Sequence, residues 1–291
     1  MRFKWLYFLL SGIVLIPGIV SLFLFGLKPS IDFTGGALLE FKFENARNLS
    51  ASAIDEVVKE KGFEVFSVQK SGENDYLLRM QPITKDDVSS LKTSLADKFL
   101  AIPEEIRFET VGPILGKELL IKTIIAVVLA AGFILAYVAW VFKNFKFGVC
   151  AILAMFHDSF LLLGTFSLFG RFLGVEIDTL FVTAMLTILS FSVHDTVVVY
   201  DRIRESQKRF PQIAFEDLAN KAVTETLSRS LNNSLTIIFM LLALFLLGGE
   251  TIKWFVVALL IGTISGTYSS TFTAVPLLVV WEKIERKREN K

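Results

Sequence analysis

Residues 177–200 read IDTLFVTAMLTILSFSVHDTVVVY. The stretch is apolar over most of its length and contains neither Gly nor Pro to interrupt a helix. A bilayer core of about 30 Å is crossed by roughly 20 helical residues, so this block is long enough to span. It also carries His194 and Asp195 in the third of the span nearest Tyr200. A charged Asp inside the membrane costs roughly 2.5–3.5 kcal/mol on insertion scales, so a sequence that keeps one there invites a functional reading.

Working outward, five further apolar blocks lie at 5–27, 119–142, 147–170, 231–248 and 253–281. The whole chain follows the same pattern. Of 291 residues, 53% are hydrophobic and only 20% charged, Phe occurs 28 times, and the mean hydropathy is +0.58. These values lie on the apolar side of soluble domains and place the chain among α-helical integral membrane proteins with six spans. Thirty basic against 29 acidic residues leave a net charge of +1, so no global basic field exists to attract nucleic acid. A single cysteine, Cys150, excludes an internal disulfide and a multi-cysteine metal site, and no phosphate-binding GxxxxGK[ST] loop is present. No cofactor or metal is expected.

The first block resembles a signal peptide in position. It is long, is flanked by Arg2 and Lys4, and ends in Leu27-Lys28-Pro29-Ser30 without an A-x-A cleavage pattern, which predicts an uncleaved anchor. Basic residues cluster on alternate loops: Lys143 and Lys146, then Arg202, Arg204, Lys208, Arg209 and Lys221, then Lys283, Arg286, Lys287, Arg288 and Lys291. On the other side Arg171 is offset by Glu176 and Asp178, and Lys253 by Glu250. The positive-inside bias predicts both termini in the cytoplasm. Trp5, Trp140, Trp254 and Trp281 all fall at span ends, as an interfacial belt requires. The expected organisation is a first transmembrane helix (1–27), an extracytoplasmic domain (28–118), spans two to four (119–200), a cytoplasmic loop (201–230), spans five and six (231–281) and a cytoplasmic tail (282–291). The basic, partly amphipathic stretch reads as a cytoplasmic surface helix or a loop that contacts partners, and equally well as a solvated linker.

The polar segment 28–118 has its own grammar. Leu39, Phe41 and Phe43 alternate with charged residues, predicting a half-buried strand. Residues 50–61 repeat apolar positions at Ala53, Ile54, Val57 and Val58 and stop at Gly62, predicting a helix. Strands at 65–69 and 76–80 flank the turn Ser71-Gly72-Glu73-Asn74. Thr84 caps a second helix with Val88, Leu91, Leu95 and Phe99 on one face, and Ile106, Phe108 and Val111 mark a last strand. The order strand, helix, strand, strand, helix, strand predicts an α+β, ferredoxin-like outer domain. Without His or Cys it reads as a binding or positioning module.

Within the spans, His157-Asp158 lies mid-way along the third block and His194-Asp195 near the end of the fourth. Thr183, Thr187, Ser190 and His194 share one helical face, adjoined by Asp195, while Arg229, Asn232, Asn233 and Thr236 continue along span five. Asp195 and Arg229 are expected at one depth, able to meet. Interhelical hydrogen-bond pairs are one reading of such residues, and the one favoured for His157 and Asp158. A proton site is the other, favoured for Asp195 and Arg229, because burial and a nearby Arg act oppositely on a carboxylate. Gly262-x-x-x-Gly266 with Ser269, Ser270 and Thr273 reads as a close-packing face, and Pro17 and Pro276 as helix-kinking positions.

Three motifs make the chain resemble the SecF family of bacterial protein-export subunits. Asp32-Phe33-Thr34-Gly35-Gly36, preceded by Ile31, follows the first span; Asp195-Thr196-Val197-Val198-Val199-Tyr200-Asp201-Arg202-Ile203-Arg204-Glu205 closes the fourth; Arg229-Ser230-Leu231-Asn232-Asn233-Ser234-Leu235-Thr236 opens the fifth. The resemblance covers essentially the whole chain. It implies half of a resistance–nodulation–division-like bundle, with SecD as a separate partner, the SecYEG channel and YajC as further partners, the translocating polypeptide as cargo, and the bacterial inner membrane as location. It also implies that Asp195 and Arg229 take part in proton conduction driven by the proton motive force. His194, Asn232, His157 and Asp158 are candidate accessories. The pattern departs from the family at His194, often Asn, and at Asn233, often Thr. The segment 32–36 is expected to pack on the bundle rather than join the sheet.

Other classes fit less well. A proton-coupled exporter of small molecules or lipids is expected to carry two repeat halves and two outer domains. An intramembrane aspartyl protease built on Asp158 and Asp195 lacks the G-x-G-D pattern, and no H-E-x-x-H supports a metalloprotease. The expectation is a non-enzyme; a purely structural scaffold for SecD is the third class.

Overall fold

The computed structural model of the chain describes residues 3–44, 49–72, 74–142 and 144–289. Arg2, Glu73, Lys143 and Lys291, and the Glu250 side chain, used above as flank, turn and loop residues, lie outside them. In chain order the elements are α1 (Lys4–Phe25), α2 (Ile31–Thr34), β1 (Gly36–Phe43), α3 (Ala51–Glu60), β2 (Val65–Lys70), β3 (Asp75–Met80), α4 (Lys85–Phe99), β4 (Pro103–Val111), α5 (Pro113–Phe142), α6 (Phe145–Leu173), α7 (Thr179–Arg209), α8 (Phe215–Leu247), α9 (Glu250–Ser269), a π turn (Ser270–Ala274) and α10 (Val275–Glu289). They form two compact units, Pro29–Ile124 and the pair Met1–Lys28 with Ile125–Lys291.

In the first unit the sheet order is β2-β3-β1-β4 with every neighbouring pair antiparallel. This is the expected split β-α-β-β-α-β arrangement. Leu39 stands opposite Leu78, Phe41 opposite Tyr76, and Leu39 also opposite Phe108 on the other edge. That face packs on Ile54, Val57 and Val58 of α3 and on Val88, Leu91, Leu95 and Phe99 of α4. Removing each such side chain from water contributes about 1.5–3 kcal/mol. The helix starts follow from their caps: Ser50 accepts the Ala53 N–H, and Thr84 and Asp87 close a capping box on α4.

The segment around Asp32 follows expectation except at its end. Ser30 caps α2, the single helical turn that holds Asp32, Phe33 and Thr34 outside the sheet, and only Gly36 enters it, opening β1 opposite Val111. The cause is steric. Gly35 and Gly36 have φ of +75° and +131°, and a Cβ on Gly35 would lie 2.6 Å from Pro113 Cα. Gly116, one turn on, would bring its own Cβ within 2.7 Å of Gly35 N. Two glycines therefore let the strand start against the first turn of α5.

In the second unit α6, α7 and α9 carry most of the buried surface. Among the described residues, six helices are long and apolar enough to cross a membrane, the last running through α9, the π turn and α10. Gly18 and Gly164 place α1 against α6 so closely that a Cβ on Gly164 would meet Gly18 Cα at 2.5 Å, and Ser21 and Ser167 hydrogen-bond at 2.8 Å one turn further on. Gly262 and Gly266 do the same for α9 on α7, facing Ile188 and Ser192. Pro17 sits inside an α1 that runs unbroken from Lys4 to Phe25. Pro276 follows the π turn; it has no N–H for the Phe272 carbonyl one turn back, which opens the ladder there. Tyr200 donates its hydroxyl to the Ala274 carbonyl of that turn at 2.7 Å.

The stretch 201–230 differs from the loop reading. α7 continues to Arg209, a short turn follows, and α8 begins at Phe215, so both spans extend as helices with a buried stripe of Ile203, Ser206, Phe215, Leu218, Ala219, Ala222 and Thr226. Mean hydropathy falls there, but the 3.6-residue period persists. At the same end Glu216 is paired with Lys4 and Lys283, and Lys146 with Glu282 and Glu285.

Candidate functional site

The two His-Asp pairs have different surroundings. Asp195 is 5% exposed and accepts a hydrogen bond from Ser230 Oγ of α8 at 2.7 Å. His194, the preceding residue, is exposed, as successive helical positions about 100° apart allow. Arg229 is also exposed and makes no ion pair with Asp195 within 4.0 Å; the pairing expected between them is replaced here by the Ser230 contact. The two residues are nevertheless at one level of the bundle, because Arg229 directly precedes the Ser230 that Asp195 touches.

Thr183, Thr187, Ser190 and His194 lie exposed along α7, and Arg229, Asn232, Asn233 and Thr236 lie exposed along α8. Several of the hydroxyls return to their own helices: Thr183 donates to the Thr179 carbonyl, Thr187 to Thr183 and Thr236 to Asn232. The other side of α8 is fixed to α9 by Thr267 and Ser234 at 2.6 Å. Arg229 itself lines a cleft of about 440 Å³, together with Val198, Asp201, Arg202, Glu205, Glu225 and Thr226. Arg202 bridges it, reaching Glu225 of α8 at 2.5 Å and Glu205 of its own helix at 2.6 Å.

Asp158 is 1% exposed and enclosed by three helices. Ser192 of α7 donates to Oδ2 at 2.6 Å, Ser265 of α9 to Oδ1 at 2.5 Å and Ser269 of α9 to Oδ2 at 2.5 Å. His157 Nδ1 lies 3.1 Å from Oδ1. The pair is thus an interhelical hydrogen-bonded centre, as the local sequence suggested, but a far denser one. Ser192 and Ser265 were missed in the sequence because each looks ordinary in its own span. Ser269 carried a signal on the small-residue face of Gly262 and Gly266, and Ser230 as part of the motif that opens span five. Asp32, Phe33, Thr34, Gly35 and Gly36 belong to the other unit, where they shape the start of β1.

Comparison with known proteins places this architecture. A family model described as protein export membrane protein SecD/SecF, C-terminal, matches residues 91–284, and the SecD/SecF GG motif matches residues 20–46. The protein translocase subunit SecF of Thermobaculum terrenum is 42% identical over 97% of this chain and 93% of its own length, and that of Anaerolinea thermophila is 39% identical over 97% and 93%. The crystal structure of SecDF from Thermus thermophilus superposes with a TM-score of 0.83 at 33% identity, over 97% of this chain. The chain spans 39% of that longer SecDF chain. These names do not favour the small-molecule exporter reading. With both family matches over a chain that has six apolar helices and an α+β sheet unit, this chain belongs to the SecD/SecF protein-export family, as a SecF-type translocase subunit of the membrane.

Proposed function

We propose that the chain is one half of a proton-driven export device, completed in the membrane by SecD. The observation that carries this is the row of exposed polar side chains on α7 and α8 beside the buried Asp195. Polar groups facing hydrocarbon are costly, so the row requires a second polar surface over it. The SecDF relatives, with a SecD portion in the same chain as the SecF portion, support SecD as that surface.

In this reading Asp195 takes up and releases a proton. Ionised, it accepts from Ser230 and draws Arg229 inward; protonated, it releases Arg229 and α7 and α8 shift. The transmembrane field supplies about 2.3 kcal/mol per proton per 100 mV. Both termini lie in the cytoplasm, the unit Pro29–Ile124 lies outside, and the location is the bacterial inner membrane. The shift reaches the outer unit, which contacts the emerging polypeptide at the SecYEG channel, with YajC as a further partner. The chain performs no covalent chemistry. The test is export into membrane vesicles at saturating ATP, with and without a proton gradient. Asp195→Asn removes the gradient-dependent part while insertion and SecD association persist, and Arg229→Ala does likewise. A full gradient response in Asp195→Asn vesicles overturns the mechanism.

A further inference from the structure

We propose that His157 and Asp158 form a second proton-binding centre, in which Asp158 stays a carboxylate and His157 takes up one proton on Nε2. The argument begins with counting donors. An ionised carboxylate offers about four lone-pair sites. Ser192, Ser265 and Ser269 each donate to Asp158, and His157 Nδ1 occupies the fourth place, on Oδ1. The cage therefore matches the anion. A protonated Asp158 would add a hydroxyl donor where donors already converge, and one serine hydroxyl would have to turn from donor to acceptor.

An anion enclosed in a membrane bundle needs a counter-charge, or the desolvation cost stands unopposed. No Lys or Arg pairs with Asp158; His157 is the one cation source within 4.0 Å among the described residues. His157 is itself 8% exposed, and its Nε2 is buried without a hydrogen-bond partner. With an Nδ1–H turned toward Asp158, Nε2 is the one basic nitrogen of the centre left with an unused lone pair. A proton arriving there completes an imidazolium–carboxylate pair, and the charge of the pair goes from −1 to 0. The cage itself does not rearrange.

Other titratable groups on the packed helices are engaged elsewhere. On α7, Asp195 is bound to Ser230 and Tyr200 to the Ala274 carbonyl. On α9, Tyr268 donates to the Tyr7 carbonyl of α1. On α10, Glu282 pairs with Lys146 and Arg286, and Lys283 with Glu216. On α6 itself, Cys150 is buried in the core cluster around Phe142 and Phe147. The centre is therefore separate from the Asp195 site. Its use in export rests on the proton-driven reading above; its proton binding does not.

The experiment exploits the fact that the chain has only two histidines. The full chain carrying His194→Gln, labelled with 15N-histidine in lipid nanodiscs, reports His157 alone. The nitrogen shifts over about pH 5 to pH 8, where imidazoles titrate, distinguish the two ring nitrogens. Nδ1 is expected to be protonated throughout, with Nε2 gaining its proton as the pH falls. In Asp158→Asn on the same background the imidazole is expected to stay uncharged over that range. Infrared difference spectra of the His194→Gln chain should show no protonated carboxyl that disappears in Asp158→Asn. The proposal is overturned by an Nε2 that stays unprotonated across the range, by a proton found on Asp158 instead, or by shifts that follow sodium concentration at fixed pH. Because the readout needs no export, loss of gradient response in Asp195→Asn vesicles and failure of this titration are independent results.

Discussion

Asp158 and Asp195 are both buried, both follow a histidine, and both sit in the same bundle. They differ in what completes them. Asp158 is closed by serines from α7 and α9 and by its own neighbour, whereas Asp195 has one serine from α8, with His194 and Arg229 turned outward. The closed side of the bundle is finished within this chain. The α7–α8 side presents polar side chains that a membrane protein does not leave to lipid. A buried charge is thus not by itself a mark of one role: its neighbours decide whether it fastens helices together or waits for a second surface.

The largest expected effect lies on the closed side. A side chain at Gly262 would begin 2.2 Å from Ile188, so Gly262→Leu should force α9 from α7 and cost about 3 kcal/mol. Thermal unfolding of the purified chain, or its failure to accumulate, reads this directly. Next comes Asp158→Ala, which strands three buried hydroxyls and should cost on the order of 2 kcal/mol. Asp195→Ala strands one and should cost about 1 kcal/mol. Equal losses in those two variants would break the contrast between the sites.

On the open side, Asn232→Leu should move the stability of the lone chain by less than about 0.5 kcal/mol, as surface changes do. It should weaken co-purification with SecD, which sharpens the comparison by separating folding from assembly. The smallest effect belongs to the sheet unit, a baseline for both. Its Asp87 carboxyl is held below the usual aspartate range by the amide and hydroxyl of Thr84. That contribution is present above the unfolded value near pH 4 and is lost as the pH falls through the lower folded value. Melts of residues 30–112 expressed alone should be cooperative, and their fall in midpoint between neutral pH and about pH 3 should be smaller in Asp87→Asn.

How far the sequence reveals this depends on the range of the interactions. The spans are legible because membrane burial is a property of consecutive residues. The outer sheet is legible because Leu39, Phe41 and Phe43 repeat with period two, and the start of α4 because Thr84 and Asp87 are three residues apart. Over 201–230 the charges left a helix and a linker equally open, and the buried stripe that recurs with helical period decides for helix. The Asp158 cage was not legible: Ser192 and Ser265 are brought together from spans four and six, and no local pattern marks either. Gly35 and Gly36 stood out as part of a motif, and the first turn of α5 explains why β1 begins there.

The π turn at Ser270–Ala274 stores one residue more than an α-helix would use over the same rise. Passing that residue out of the turn would rotate everything after it by about 100° and advance it by about 1.5 Å. Trp281, Glu282 and Lys283 would swing together, and the links from Lys146 to Glu282 and from Glu216 to Lys283 could not survive the movement. The last helix is in this sense a screw held by two ionic pins at its foot, and salt concentration is the tool that would loosen it.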